Sequence, residues 1–154
     1  METHLPIVEQ DEWLRPVEGE IEYRHRLYTE QLDRIRESAG SLVDYANGYR
    51  YYGWQRDEDL RGWWFREWLP AAKDVYLFGD FNGWQRTELR LDKDKSGVWS
   101  IFLPDAMYAD RLTHGSLYKI HVHGDNGWHD RIPAYATRVV QNDETKDYTA
   151  QFWI

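Results

Sequence analysis

The chain has 154 residues, no cysteine and a formal net charge of −8. A chain of this length can bury a core of its own, without the disulfides or cysteine-bound metals that smaller domains often need. The excess of 27 acidic over 19 basic side chains argues against binding to a nucleic-acid backbone. Neither a secretory signal nor an apolar run long enough to cross a membrane is evident. We therefore expect a cytoplasmic protein with no nucleic-acid or membrane partner.

Aromatic side chains are the unusual feature of the composition. Nine Trp, eleven Tyr and five Phe make up 16% of the chain. Aromatic rings bury large areas in a core, but Trp and Tyr also carry a polar group that suits half-exposed positions. We therefore expect some of these rings on the surface.

The N-terminal part of the sequence has the pattern of an amphipathic helix. Across residues 17–38, apolar side chains recur at intervals of seven, four and three, at Ile21, Tyr28, Leu32 and Ile35. A short second helix is predicted at 41–44, where Ser41 fits an N-cap, and an aromatic connector, "GYRYYGWQR", follows it. These features predict a helical leader over residues 1–60.

From residue 62 the hydrophobic period changes to two. This pattern predicts short strands at 63–68, 75–79, 87–91, 98–103, 117–123 and 128–132, and a last one at 138–141 or 148–153. About seven short strands separated by turn residues are typical of an antiparallel β-sandwich. We therefore predict a mostly β fold, with the sandwich over residues 61–154.

The segment "LYKIHVHGDNGWHDRI", residues 117–132, predicts a β-hairpin. With Asn126-Gly127 as a two-residue turn, Asp125 would pair with Trp128 and His123 with Asp130.

Alternation along this hairpin places Lys119, His121, His123 and Trp128 on one face, opposite the apolar Tyr118, Ile120 and Val122. Two interpretations fit a tryptophan on a polar face. Trp128 covers a neighbouring loop and Lys119 is a solvated charge, or the two form a flat apolar plate beside a hydrogen-bond donor. A sugar needs the second arrangement, because its ring has an apolar C–H face and a rim of hydroxyls.

The pair His121 and His123 also suggests a metal site, to which Asp130 could add a carboxylate. His129 would lie on the opposite face, which leaves two nitrogen ligands. We therefore expect no metal and no cofactor.

Catalytic motifs are missing from the sequence. Glycoside hydrolysis requires two carboxylates at a fixed spacing across a cleft, and the acidic runs here are typical of solvated loops. No Gly-x-Ser-x-Gly or Gly-rich phosphate loop is present. We expect no catalytic residues, and no activity from this chain alone.

Several segments, in order, resemble the N-terminal part of 1,4-α-glucan (glycogen or starch) branching enzymes. They are "GWWFREWLPAAKDVYLFGDFNGW", "GVWSIFLP", "HGSLYKIHV" and "GWHDRIPAYATRVVQ". The preceding "LRPVEGEIEYRHRLYTEQLDRI" and "SLVDYANGYRYYGWQR" resemble the helical leader of eukaryotic-type members. The resemblance implies a family 48 carbohydrate-binding module with an immunoglobulin-like β-sandwich.

The same module type occurs in glycogen-sensing kinase β subunits. Their glucan site implies roles here for Trp84, Lys119 and Trp128, which match its motifs. Trp84 follows Asn82-Gly83, and a strict two-residue turn there would place it beside Phe81, partly in the core.

Branching enzymes bind glucan at a further position, whose Trp-x-Pro motif matches Trp68 and Pro70. Ser38, Ala39, Ser96 and Val98 replace the larger polar or aromatic residues usual there, so the resemblance is incomplete at this second site.

The resemblance implies a fragment of a branching enzyme that binds α-1,4-glucan or docks on the catalytic barrel of the same protein. The alternative is a stand-alone glycogen-targeting regulator.

Overall fold

The computed structural model describes residues 5–154 of the chain. These residues form two compact units that divide after Asn47. The sequence places the boundary between leader and sandwich at residue 60.

The first unit is helical. It contains α1 (Pro6–Gln10), a 3₁₀ segment (Glu12–Val17), α2 (Glu18–Ala39) and α3 (Leu42–Tyr45). Gly40 ends α2 with a φ of 82°, and the Ser41 side chain caps α3 by accepting a hydrogen bond from the Asp44 N–H. Both helices predicted from the sequence are confirmed. No helix within residues 5–154 is long and apolar enough to span a membrane.

The second unit contains two antiparallel sheets. Its strands are β1 (Gly53–Asp57), β2 (Gly62–Trp68), β3 (Asp74–Gly79), β4 (Leu89–Arg90), β5 (Asp92–Lys93), β6 (Val98–Pro104), β7 (Leu117–Gly124), β8 (Gly127–Arg131), β9 (Arg138–Gln141) and β10 (Tyr148–Gln151). One sheet has the order β1-β2-β6-β5, and the other has the order β4-β3-β7-β10-β9, with β8 also paired to β7. The predicted antiparallel, mostly β fold class is confirmed.

The predicted strands are found, and both alternatives for the last strand are present as β9 and β10. The prediction of a connector around Trp54 is wrong for 53–57, which form β1. Trp54 points inward there and meets the rings of Phe65, Phe81, Tyr118 and Phe152 at 5.1–6.1 Å. The polar Gln55, Arg56 and Asp57 hide the alternation in the sequence.

The inner faces of the two sheets form the core. Phe65 of β2 and Tyr118 of β7 meet across the sandwich, with their ring centroids 6.0 Å apart. Val75 and Leu77 of β3 and Ile120 of β7 are also fully buried. One face of β3 and β7 therefore lies in the core, and the opposite face of the same strands lies on the outside of the sheet.

Glu67 is a buried carboxylate on the inner face of β2. Only 3% of the residue is exposed, and its Oε2 accepts a hydrogen bond from the Ala134 N–H at 3.0 Å. Burial raises the pKa of this carboxyl above its ordinary value, although backbone N–H groups of Ala134, Trp68 and Tyr135 act in the opposite direction. Ionisation of Glu67 therefore opposes folding.

We expect the stability of Glu67→Gln, relative to wild type, to increase as the pH rises. A carboxyl whose pKa is raised by folding contributes stability that is fully present below its unfolded pKa and is lost as the pH rises through its folded pKa. The neutral amide does not lose this contribution. Urea unfolding of both proteins from pH 4 to 8 measures the difference, with the exposed Glu144→Gln as control. A difference that is constant or falls with pH would contradict the assignment.

Candidate functional site

The turn after β3 sends neighbouring aromatic rings to opposite sides of the sheet. Phe81 is buried in the core. The buried Asn82 closes the turn, since its Oδ1 accepts from the Gly79 N–H at 3.0 Å and its Nδ2 donates to the Gln85 carbonyl at 2.8 Å. The chain reverses through left-handed backbone at Gly83 and Trp84, with φ values of 61° and 62°. A strict two-residue turn is therefore absent, and Trp84 does not share the side of Phe81.

Trp84 lies half-buried on the outer face of the sheet. Its indole packs edge-on against Phe78 of β3 at 5.6 Å, and its Nε1 donates to Asp80 Oδ1 at 2.9 Å. The other oxygen of Asp80 accepts from the Leu117 N–H at 2.7 Å, which ties the turn to the start of β7. Left-handed backbone is unfavourable for a bulky residue, so these contacts hold Trp84 in a conformation it would otherwise avoid.

The β7–β8 hairpin has a different register from the predicted one. Gly124 pairs with Gly127, His123 with Trp128 and His121 with Asp130, so the two-residue turn is Asp125-Asn126. The Asn-Gly sequence predicts a residue with positive φ. That residue is Gly127, the first residue of β8, with a φ of 93°. The prediction that Trp128 shares a face with His121 and His123 is nevertheless confirmed. The partner of Trp128 is His123 and not the predicted Asp125, and a change of two residues along a strand leaves Trp128 on the same face.

Trp128 stacks on its neighbours of the outer face. The indole is nearly parallel to the rings of His121 and His123, at 4.6 Å from each centroid, and meets Tyr76 at 5.9 Å. It remains 43% exposed. Its ring contacts are thus with side chains of β3 and β7, and a large part of the indole is open to a ligand.

Asp130 connects the hairpin to the segment after Trp84. Its carboxylate accepts hydrogen bonds from two nitrogens of the Arg86 guanidinium, Nε and Nη2, the shortest at 2.8 Å, and lies 2.7 Å from His121 Nδ1. Burial alone would raise the pKa of Asp130, but the hydrogen bonds from Arg86 and His121 bring it below its usual value. The carboxylate is therefore ionised at neutral pH.

Lys119 lies in the same face, paired in register with Phe78. The residue is half-buried, and its ammonium forms no ion pair within residues 5–154. Trp128 is four residues further along β7, opposite His123, which corresponds to roughly 13 Å of strand. The outer face thus carries an indole at each end and an unpaired donor near the first.

In the part of the chain that the structure describes, no three His, Asp or Glu side chains converge on a possible metal position. His121 and His123 instead stack on Trp128, and Asp130 is held by Arg86.

Trp68 and Pro70 lie apart from this face. They line a groove of about 320 Å³ between the β2–β3 loop and the β7–β8 turn, with Ala72, Val122 and Asp125 among the other lining residues. Trp68 is 54% exposed, and its Nε1 donates to the Ser96 carbonyl at 2.9 Å. The structure therefore brings Trp68 and Pro70 together, at a separate position from Trp84 and Lys119.

Sequence reasoning missed Asp80, Arg86 and the outward direction of Phe78. Phe78 is buried on the outer face because Trp84, the Arg86 guanidinium and His121 surround its ring. Strict alternation from Val75 would have placed Phe78 on this face. The contacts of Asp80 and Arg86 join residues 37 and 44 positions apart and leave no local pattern.

The fold and this face define a small β-sandwich module with aromatic side chains on the outer face of one sheet. The chain belongs to the carbohydrate-binding module 48 (isoamylase N-terminal domain) family, whose model matches residues 51–136.

Relatives that match most of the chain are named 1,4-alpha-glucan-branching enzymes. One from Dictyostelium discoideum is 40% identical over 149 residues, which cover 96% of this chain and 22% of that protein. One from Pisum sativum is 41% identical over 133 residues, covering 86% of this chain and 16% of that protein. The resemblance to the N-terminal region of branching enzymes is thereby confirmed, and the chain spans about a fifth of the length of these relatives.

A solved structure supports the fold alone. The product complex of the multi-modular glycogen-degrading pneumococcal virulence factor SpuA matches 69% of this chain and 12% of its own, with 19% identity and a TM-score of 0.51.

Proposed function

We propose that the second unit binds α-1,4-glucan on the outer face of β3, β7 and β8, through Trp84, Lys119 and Trp128. The observation that carries the proposal is the placement, on one sheet face, of two partly exposed indoles and an ammonium that has no ion-pair partner among residues 5–154. Membership of a carbohydrate-binding family and the names of the relatives support the ligand class.

Each element of the face has a separate task in this proposal. The indoles of Trp84 and Trp128 stack on the C–H faces of glucose units, while Lys119 donates to hydroxyl oxygens. The surface is shallow and wet, so the gain over the cost of association is small. We expect dissociation constants on the order of 10 μM to 1 mM.

The groove at Trp68 and Pro70 is a second candidate contact for the same ligand. It places a half-exposed indole beside an apolar loop, which suits a sugar ring. Ser96, whose carbonyl holds Trp68, stands where the resemblance predicts a larger side chain, and this reduces the contact area available there.

At the level of the whole protein, we propose a cytoplasmic glucan branching enzyme in which this chain holds the glucan and docks on the catalytic barrel. Such an enzyme cleaves an α-1,4 linkage and transfers the chain to a 6-hydroxyl, through two carboxylates of the barrel. The alternative is a glycogen-targeting regulator. The mass of the natural protein distinguishes them, because a protein as long as the relatives favours the enzyme.

Alanine substitution of the face tests the binding site. We expect Trp128→Ala and Trp84→Ala each to weaken maltoheptaose binding by about 1–2 kcal/mol, because each removes an aromatic anchor. Lys119→Ala should cost less, since its hydrogen bonds are exchanged with water. Titration followed by NMR gives the dissociation constants.

Trp153→Ala is the matched control, because Trp153 is 45% exposed, close to the value for Trp128, but packs against His114 and Arg138 instead. It should bind maltoheptaose as wild type does. Equal binding by Trp128→Ala and wild type, or equal loss in Trp153→Ala, would refute the assignment of the face.

A further inference from the structure

The two indoles of the proposed glucan face belong to different segments of the chain. Trp84 lies in the turn after β3, and Trp128 begins the outward face of β8. Hydrogen bonds through Asp130 join the two segments, since Arg86 follows Trp84 by two residues and His121 stacks on Trp128. We call Arg86, Asp130 and His121 the Asp130 bridge.

We propose that the Asp130 bridge fixes the position of Trp128 relative to Trp84, so that the site selects glucans long enough to contact both rings. The inference rests on the proposed function and adds a length preference together with the residues that set it.

The bridge constrains both ends of the face. At one end the Arg86 guanidinium lies 4.9 Å above the Phe78 ring, against which Trp84 also packs. At the other end the His121 ring, hydrogen-bonded to Asp130, is within 10° of parallel to the Trp128 indole. Rotation of the Trp128 indole would disturb His121, which is bonded to Asp130, and the Trp84 indole shares the Phe78 ring with the Arg86 guanidinium.

A fixed separation gives a length preference. Trp84 packs on Phe78, which pairs with Lys119, and Trp128 pairs with His123, four residues further along β7 or roughly 13 Å of strand. A maltooligosaccharide of several glucose units reaches both rings, and its second contact then forms at a high effective concentration. Maltose reaches one ring, so it gains nothing from the fixed separation.

The Asp130 bridge is expected to orient the side chains around the indoles and to add little to the stability of the fold. The Arg86 and Asp130 side chains are 50% and 29% exposed, and exposed ion pairs contribute little to the free energy of folding. The paired N–H bonds of an arginine do, however, fix the orientation of a carboxylate.

The test compares two ligand lengths in Asp130→Asn. We expect maltoheptaose to bind about tenfold more weakly than to wild type, the size of loss typical when two coupled contacts are separated. Maltose binding should change less than about twofold, within the range of uncoupled sites. NMR titration of the full chain measures both, and unchanged melting shows that the fold is kept.

Two further variants complete the design. Arg86→Lys keeps the charge, but a lysine cannot form two parallel N–H bonds with Asp130. Like Asp130→Asn, it should therefore weaken the binding of maltoheptaose and leave the binding of maltose nearly unchanged. Asp105→Asn is the control, because Asp105 also accepts two N–H bonds from an arginine, Arg56, but belongs neither to the glucan face nor to the Trp68 groove. It should leave both affinities unchanged.

The outcomes separate the two proposals. Equal losses for maltose and maltoheptaose in Asp130→Asn, or no loss for either, would overturn the bridge and leave the glucan face standing. Failure of the wild-type chain to bind maltoheptaose would overturn the proposed function, and the role of the bridge with it.

Discussion

Trp99→Ala should lower the free energy of unfolding of the sandwich by about 3–5 kcal/mol, as expected for removal of a buried tryptophan. Trp99 of β6 is 2% exposed and points between the sheets. Its Nε1 also donates to the Leu69 carbonyl at 3.0 Å, so the substitution leaves a cavity and removes the partner of that carbonyl. Urea unfolding followed by near-ultraviolet circular dichroism measures the change.

Trp99→Phe separates the two contributions. Phenylalanine keeps most of the buried area but cannot donate to Leu69, so we expect it to be clearly more stable than Trp99→Ala. The exposed Trp128→Ala provides the comparison at the surface, where removal of a ring costs little stability. A loss in Trp99→Ala no larger than that in Trp128→Ala would show that the core is not where the structure places it.

The sandwich could be predicted where alternation is uninterrupted. In β7, Tyr118 and Ile120 alternate with Lys119 and His121, and the buried and outer faces follow this pattern. In β1, by contrast, Trp54 is the one inward aromatic among polar residues, and the burial of its ring depends on Phe65, Phe81 and Phe152 from distant segments. β5 has two residues, too few to give a period.

The candidate site, like the fold, could be predicted only where local alternation decides the face on which a side chain lies. The sequence predicts that Lys119 and Trp128 share one face, because this inference needs only local alternation and one hairpin. The side of the sheet on which Trp84 lies depends on left-handed backbone at Gly83 and Trp84 itself, which a bulky residue rarely adopts. Asp80 accepts hydrogen bonds from Trp84 and also from Leu117 of β7, 37 residues away, and the second of these is not visible in the local sequence.

β3 and β7 therefore serve both the core and the surface. Leu77 and Ile120 face inward. Phe78, next to Leu77, and Lys119, next to Ile120, face the proposed glucan site. Rigid pairing of these two strands fixes the outer side chains as a consequence of fixing the core. A change at the pairing itself should then damage both stability and binding.

Gly79→Ala is that change, and we expect it to cost more than about 4 kcal/mol or to prevent folding, the range reserved for severe steric conflict. Gly79 pairs with Tyr118 at the end of β3. A Cβ there would lie 2.2 Å from the Leu117 carbonyl oxygen and 2.9 Å from the Tyr118 Cα. Both are backbone atoms of β7, so no side-chain rotation relieves the clash, and the strands must separate.

Gly124→Ala is the matched control, since Gly124 is also a strand glycine but its added Cβ would meet nothing within 4 Å. We expect it to change stability by no more than about 0.5 kcal/mol. Gly79 also accepts the Trp84 N–H at 2.9 Å and donates to Asn82, so any folded Gly79→Ala protein should have a displaced Trp84 and weaker maltoheptaose binding. Melting temperatures and maltoheptaose titrations of both variants check this, and a Gly79→Ala protein as stable as Gly124→Ala would refute the close pairing of β3 with β7.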